Sequence, residues 1–272
     1  MSVPMPDAEG FEHSFHDLPT GVRVHVAAHG PAGAPAVLAL HGWPQHWWGW
    51  REVARELGDG FRLLCPDMRG FGWSGWPQDG DFRKQRVADD AIALLDALGL
   101  DRVRLVGHDW GGWAAILAAA KAPERFSSLL LLGIGHPWVP RALAARNAHR
   151  LLYQLPLYFP PVTSHGGAPR RVLEVARRDG AGWAPGEVDA YVSVIRTQAR
   201  ATGRLYRSFA REAAERVSRP AMPARLMIGY REPLGHYVAT NFPGEVEIVD
   251  GAGHFLPEET PGLVAERVRA AH

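Results

Sequence analysis

The fold this sequence predicts is a mostly parallel β-sheet flanked by helices and interrupted, in the second half of the chain, by an all-helical insertion. Three observations predict it. Short β-rich runs alternate with helix-periodic runs through the first half, the mark of parallel βαβ units. That alternation stops near residue 138 and resumes near 218. Finally, Gly107-His-Asp109-Trp-Gly111-Gly112 joins a strand pattern to a helix pattern, and its small residues permit a turn that thrusts the central side chain outward. At 272 residues, 46% hydrophobic and 22% charged, the chain has material for one large α/β domain with an insertion.

Taken in order, 22–28 and 36–40 read as strands, with Pro31-Ala-Gly-Ala-Pro35 as the turn between them. A helix around 50–57, a strand at 61–65 and a Gly-rich loop to Pro77 follow. The next helix covers 84–98. Val87, Ala91, Leu94, Leu95 and Leu98 make its apolar face and Gly99 its stop. The strand at 102–107, the sharp turn and a helix at 110–121 come next, then a buried strand at 128–133. Strands at 224–229 and 245–250 resume the rhythm. Between them, 138–217 shows only helical segments broken at Pro160-Pro161, Gly166-Gly167 and Gly180-Ala-Gly182. In its last segment Ile195, Ala199, Thr202, Tyr206, Phe209, Ala213 and Val217 recur at helical spacing. The expected boundaries are therefore 1–137 and 218–272 for the core, and 138–217 for a helical cap over the strand ends.

Composition narrows the function classes. The single cysteine, Cys65, ends an apolar strand run, so it is expected to be a buried, inert thiol, and no intrachain disulfide is possible. Net charge is +1, but residues 138–219 carry 14 Arg and 6 Asp+Glu, a local +8. These arginines recur along helical segments without interleaved aromatics, which reads as a solvated face, and neither a nucleic-acid nor a membrane partner is expected. No stretch approaches twenty apolar residues, and the first residues show no leader pattern, so a cytoplasmic location is expected. Lysine is nearly absent, two against 28 arginines. Gly70-Phe-Gly72-Trp-Ser-Gly75 matches a dinucleotide fingerprint, yet Trp76-Pro77 cannot open the helix that would hold a pyrophosphate. No organic cofactor and no metal is expected.

The chemistry is carried by Asp109. A serine at this turn would mean ester or amide cleavage, whereas a carboxylate displaces at an sp3 carbon and leaves an alkyl ester on the enzyme. Water must then be delivered to that ester by a base. His254, in Gly251-Ala-Gly-His254 beyond the last strand, is the best placed of 13 histidines. Its orienting acid should follow the preceding strand, where Glu232 stands; Asp250 and Glu258 are the other carboxylates within reach. Charge on the ester carbonyl calls for backbone N–H donors, expected from Trp110 and, in His41-Gly-Trp43-Pro44, from Trp43.

These motifs, with Asp67-Met-Arg-Gly-Phe-Gly-Trp-Ser74, resemble the α/β-hydrolase superfamily over nearly the whole chain, and through Asp109 its epoxide hydrolase and haloalkane dehalogenase group. The resemblance implies a small-molecule substrate and two cap tyrosines that hold and protonate an epoxide oxygen. Tyr158 and Tyr206 are similar to those positions in local sequence and order. An alkoxide needs a donor with a pKa of ~10, as a phenol has, whereas a released halide needs only N–H groups. Trp110 fits both chemistries, but position 43 is Trp where many dehalogenases have Asn. The expected activity is thus hydrolysis of an epoxide to a vicinal diol, with a hydrolytic dehalogenase or a low-turnover ligand receptor of the same fold as alternatives. The family usually has Asp where Glu232 stands. His136 occupies a loop where some relatives place the acid, and an imidazole cannot serve as one.

Overall fold

Near-continuous apolar runs such as Ala36–Leu40 dictate a sheet buried on both faces, and the computed structural model, which describes residues 3–165, 170–171, 173–174, 185–212 and 215–270, has one. Its strands are β1 (Phe11–Leu18), β2 (Val22–His29), β3 (Ala36–Leu40), β4 (Arg62–Pro66), β5 (Val103–His108), β6 (Phe126–Leu132), β7 (Ala224–Gly229) and β8 (Glu245–Val249). The order across the sheet is β1-β2-β4-β3-β5-β6-β7-β8. β2 pairs antiparallel with β1 and β4, and every other pairing is parallel.

The helices of the core are α1 (Arg51–Leu57), α2 (Lys84–Ala97) and α3 (Trp110–Lys121). In the segment between β6 and β7 lie α4 (Arg141–Arg146), an irregular 3-10 stretch (Ala148–Tyr158), α5 (Pro160–Ser164) and α6 (Pro185–Glu212). After β8 come α7 (Leu256–Glu259) and α8 (Pro261–Ala270). Leu38, Leu40, Leu105, Leu129 and Leu131 face one layer with Val87, Leu94 and Ala115 of α2 and α3. Their strand neighbours Val37, Ala39, Val106, Leu130 and Leu132 face the other with Val53, Ala54, Val264 and Val268 of α1 and α8. The two faces thus alternate residue by residue, and Cys65 is buried in the second of them.

The strand positions read from sequence agree to within two residues. β1 has no such signature because its sequence FEHSFHDL leaves 12–15 exposed on a sheet edge, with no apolar face to betray it. Along α6, Ile195, Ala199, Thr202 and Tyr206 are buried as the spacing predicts, but the helix ends at Glu212, and Val217 stands beyond it in extended chain. Ala213 and the breaks expected at Gly166-Gly167 and Gly180–182 lie outside the described residues. From 138 to 217 there is no strand among the described residues. No described helix is long and apolar enough to cross a membrane.

One glycine of the loop after β4, Gly72, makes room for a carboxylate of the chain itself. A Cβ on Gly72, at φ +53°, would fall within the Asp67 side chain. That carboxylate accepts hydrogen bonds from the N–H groups of Trp47 (2.8 Å) and Trp73 (2.9 Å), and His25 Nδ1 lies 2.7 Å from it. Asp67 therefore ties together β2, the turn after β4 and the segment that follows β3.

Candidate active site

Strand β5 ends at His108 and α3 begins at Trp110, leaving Asp109 alone to turn the chain, at φ 48° and ψ −124°. A side chain in this region is strained, and the surrounding packing holds it there. A Cβ on Gly107 would lie 2.6 Å from Gly111 O, and one on Gly111 would lie 2.3 Å from Leu40 O and His41 O. A Cβ on Gly42 would come within 2.4 Å of Asp109 Cβ. Only glycine at these three places lets the turn, β3 and the loop after β3 close on one another.

Closure brings backbone donors to the carboxylate. Trp43 N–H donates to Asp109 Oδ2 at 2.9 Å, and Trp110 N–H donates to the same carboxylate. Burial pushes the Asp109 carboxyl up to about 6, against the pull of His254 and the two N–H groups. It is ionised at neutral pH, though costly to keep charged.

Beyond β8, His254 Nδ1 stands 3.0 and 3.2 Å from the two oxygens of Glu232, whose carboxylate is fully buried. Leu234 N–H donates to the same carboxylate, and Gly133, at φ +54°, leaves room for Glu232 and His254 to meet. Burial alone would lower the His254 pKa. The carboxylates of Glu232, Asp109 and Glu259 outweigh it and raise it to about 9. The resting histidine is consequently an imidazolium between two carboxylates. His108 is held neutral, its pKa far below the usual value by burial, and its Nε2 lies 2.9 Å from the His254 carbonyl, to which it donates. Of the other acids, Asp250 is exposed, and Glu258 is engaged by Arg51 (2.8 Å) and the Tyr191 hydroxyl (2.9 Å). Neither approaches His254 in this arrangement.

Asp109 and His254 share the wall of a cavity of about 720 Å³ with Trp110, Trp138, Phe209 and Tyr237. Tyr206 is buried with its ring edge-on to Trp43 (5.8 Å between centroids) and Trp110 (5.2 Å), and Tyr158 lies 6.1 Å from Tyr206. Tyr206 thus adjoins Tyr158 and both tryptophans, and neither tyrosine is among the residues that line this cavity. His136 does, and burial lowers its pKa to about 4, so it faces the cavity as a neutral imidazole. Among the described residues no cluster of His, Cys, Asp and Glu could hold a metal ion.

Sequence reasoning missed Glu259. Its two oxygens accept from Gly253 N–H (2.6 Å) and Phe255 N–H (2.8 Å), gripping the backbone on both sides of His254. The available signal was an acid in the first turn of the helix that follows the histidine loop. It also missed the cavity-lining Tyr237, which no short motif marks, and the buried Lys84–Glu212 pair (3.1 Å) between α2 and α6.

Comparison with known proteins places this geometry. Residues 35–164 match the family model for the alpha/beta hydrolase fold. The chain is 29% identical over 274 residues to the soluble epoxide hydrolase of Corynebacterium sp. (strain C12), covering 90% of this chain and 92% of that one. It is 27% identical over 277 residues to the AB hydrolase superfamily protein YfhM of Bacillus subtilis (strain 168), with coverage of 91% and 93%. Among solved structures, the epoxide hydrolase CorEH without ligand has a TM-score of 0.74 at 26% identity, over 96% of this chain and 98% of that one.

Proposed function

This chain belongs to the α/β-hydrolase superfamily, in its epoxide hydrolase branch, and from that premise we propose that it hydrolyses an epoxide to a vicinal diol through an alkyl ester on Asp109. The observation that carries the reading is a carboxylate at the strained turn with two N–H donors already on it. In the first step an Asp109 oxygen attacks an epoxide carbon, the ring C–O bond breaks, and a tyrosine of the helical insertion, Tyr158 or Tyr206, gives its proton to the departing oxygen. In the second, His254 gives the proton it carries at rest to the tyrosinate and then takes one from water, the hydroxide adds to the ester carbonyl, and the Trp43 and Trp110 N–H groups hold the oxyanion. Collapse expels the diol oxygen, which takes the proton of the new Asp109 carboxyl, so that Asp109, His254 and the tyrosine regain their starting states and one water is consumed per epoxide.

Electrostatics supports this order of events. Asp109 is one of the charges that raise the His254 pKa. Esterification neutralises Asp109, so it lowers that pKa and turns the histidine from a counter-ion into a base when a base is required. Glu232 stays beside it and holds the imidazole orientation. In this reading the segment 138–217 is the cap of the site, carrying the tyrosines, and the remainder is the hydrolase core.

The test is intact-protein mass spectrometry of His254→Gln after incubation with an aryl epoxide and, separately, with a bromoalkane. The expected result is an adduct equal to the whole epoxide mass, abolished by adding Asp109→Ala. An adduct only from the bromoalkane, lighter than the reagent by HBr, would overturn it in favour of a dehalogenase.

A further inference from the structure

Only two lysines occur in this arginine-rich chain, and one of them, Lys84, is fully buried at the start of α2. Its ammonium lies 4.4 Å from the centre of the Trp110 ring and 5.3 Å from that of Phe209, both on the cavity wall. It donates to Leu205 O (2.5 Å) and Ser208 Oγ (2.8 Å), and pairs with Glu212 Oε2 (3.1 Å), all three on α6. Glu212 also accepts from Lys84 N–H through its other oxygen (2.5 Å) and from Ser208 Oγ. The three ammonium donors thus meet three acceptors on one helix while the charge rests over an aromatic face.

We propose that Lys84 is a positioning residue for the oxyanion site: clamped by Glu212, it fixes the Trp110 ring from one face and sets a positive charge beside Asp109, so that one buried ion pair both seats the insertion and strengthens ester hydrolysis. The proposal rests on the ester mechanism above. Its charge reaches the nucleophile, since Asp109 is among the groups that favour the ammonium. The other charge facing it is Glu212 from α6. Burial nevertheless lowers the Lys84 pKa to about 8, so the charge is present at neutral pH and lost above that.

Single-turnover kinetics with styrene oxide, with ester followed by quenching and mass spectrometry, tests this in the wild type, Lys84→Met and the double variant Lys84→Met/Glu212→Gln. The double variant leaves no unpaired buried charge to unfold the chain. Ester hydrolysis is expected to slow about 10-fold in the double variant, with KM changed less than two-fold. In the wild type that step should weaken above pH 8, and in the double variant the weakening should vanish. A tie that is merely structural would lower Tm and leave the pH profile intact, and an unchanged profile and rate overturn the proposal. The wild-type limb above pH 8 stands as a test even where a variant does not fold. If the wild type forms no ester, the reading of the function fails first; if wild type and variant form and lose it alike, only this inference fails.

Discussion

Asp109 and Tyr158 belong to two regions that would meet one substrate from different sides, and those regions are built by different means. On the core side, Asp109 stands one residue beyond β5, Glu232 three beyond β7 and His254 five beyond β8, and the backbone is gripped by neighbours: Asp109 N–H by Leu132 O, and the flanks of His254 by Glu259. The insertion side rests on a 3-10 stretch with Pro156 inside it and on the single long helix α6. Leu152, Leu155 and Phe159 remain exposed there. Strand ends hold groups to the tolerance that bond making needs. Helical insertions with few fixed backbone partners suit the shaping of a pocket, which can change without disturbing the chemistry.

The comparison breaks most visibly at the core. Asp109→Ala should abolish turnover, by about 10⁴-fold or more, and leave no adduct with any epoxide. His254→Gln should stop turnover almost as completely while allowing ester to accumulate, which steady-state assay and mass spectrometry together will show. On the insertion side, Tyr206→Phe and Tyr158→Phe should each slow ring opening by about 10- to 100-fold and leave ester hydrolysis unchanged. Stopped-flow separation of the two steps checks it, and equal slowing of both would blur the distinction between the regions. Glu259→Gln, which keeps one acceptor, should slow only ester hydrolysis, by about 10-fold.

Acidity sharpens the same contrast. Ester formation should rise with pH to a plateau with a midpoint near 6, the Asp109 value. Because that pKa is raised from 3.8, the cost of ionising the buried group appears as pH climbs from about 4 to about 6 and is complete at neutrality. Asp109→Asn escapes it. At pH 8 the variant should be more stable than the wild type by about 3 kcal/mol, and the gain should fade toward pH 4. Denaturant unfolding at both values measures this, and a gain independent of pH would contradict the assigned cause.

Much of the core side was legible because its signals are local. Gly107, Asp109 and Gly111 lie within five residues, and chain order alone separates nucleophile, acid and base. Glu232 follows β7 at a distance of three residues and reaches His254 despite its extra methylene, since the loop 229–235 closes on itself through Glu232 N–H to Gly229 O and Gly235 N–H to Glu232 O. What stayed hidden is relational. β1 is held by pairing rather than by an apolar face, and Lys84 meets Glu212 across 128 residues. Tyr158 and Tyr206 could be matched by position, but no pattern in the sequence tells that Tyr206 packs edge-on against both Trp43 and Trp110.

The burial of Lys84 has a practical side for anyone attaching this protein to a surface. With that amine enclosed, Lys121 is the one lysine side chain open to an acylating reagent. It ends α3, the helix that starts at the nucleophile, and at 1.5 Å per residue it sits roughly 18 Å away along that axis. Coupling through a lysine side chain would therefore tether the molecule by the foot of one helix, with the end that carries Asp109 turned toward the bulk liquid.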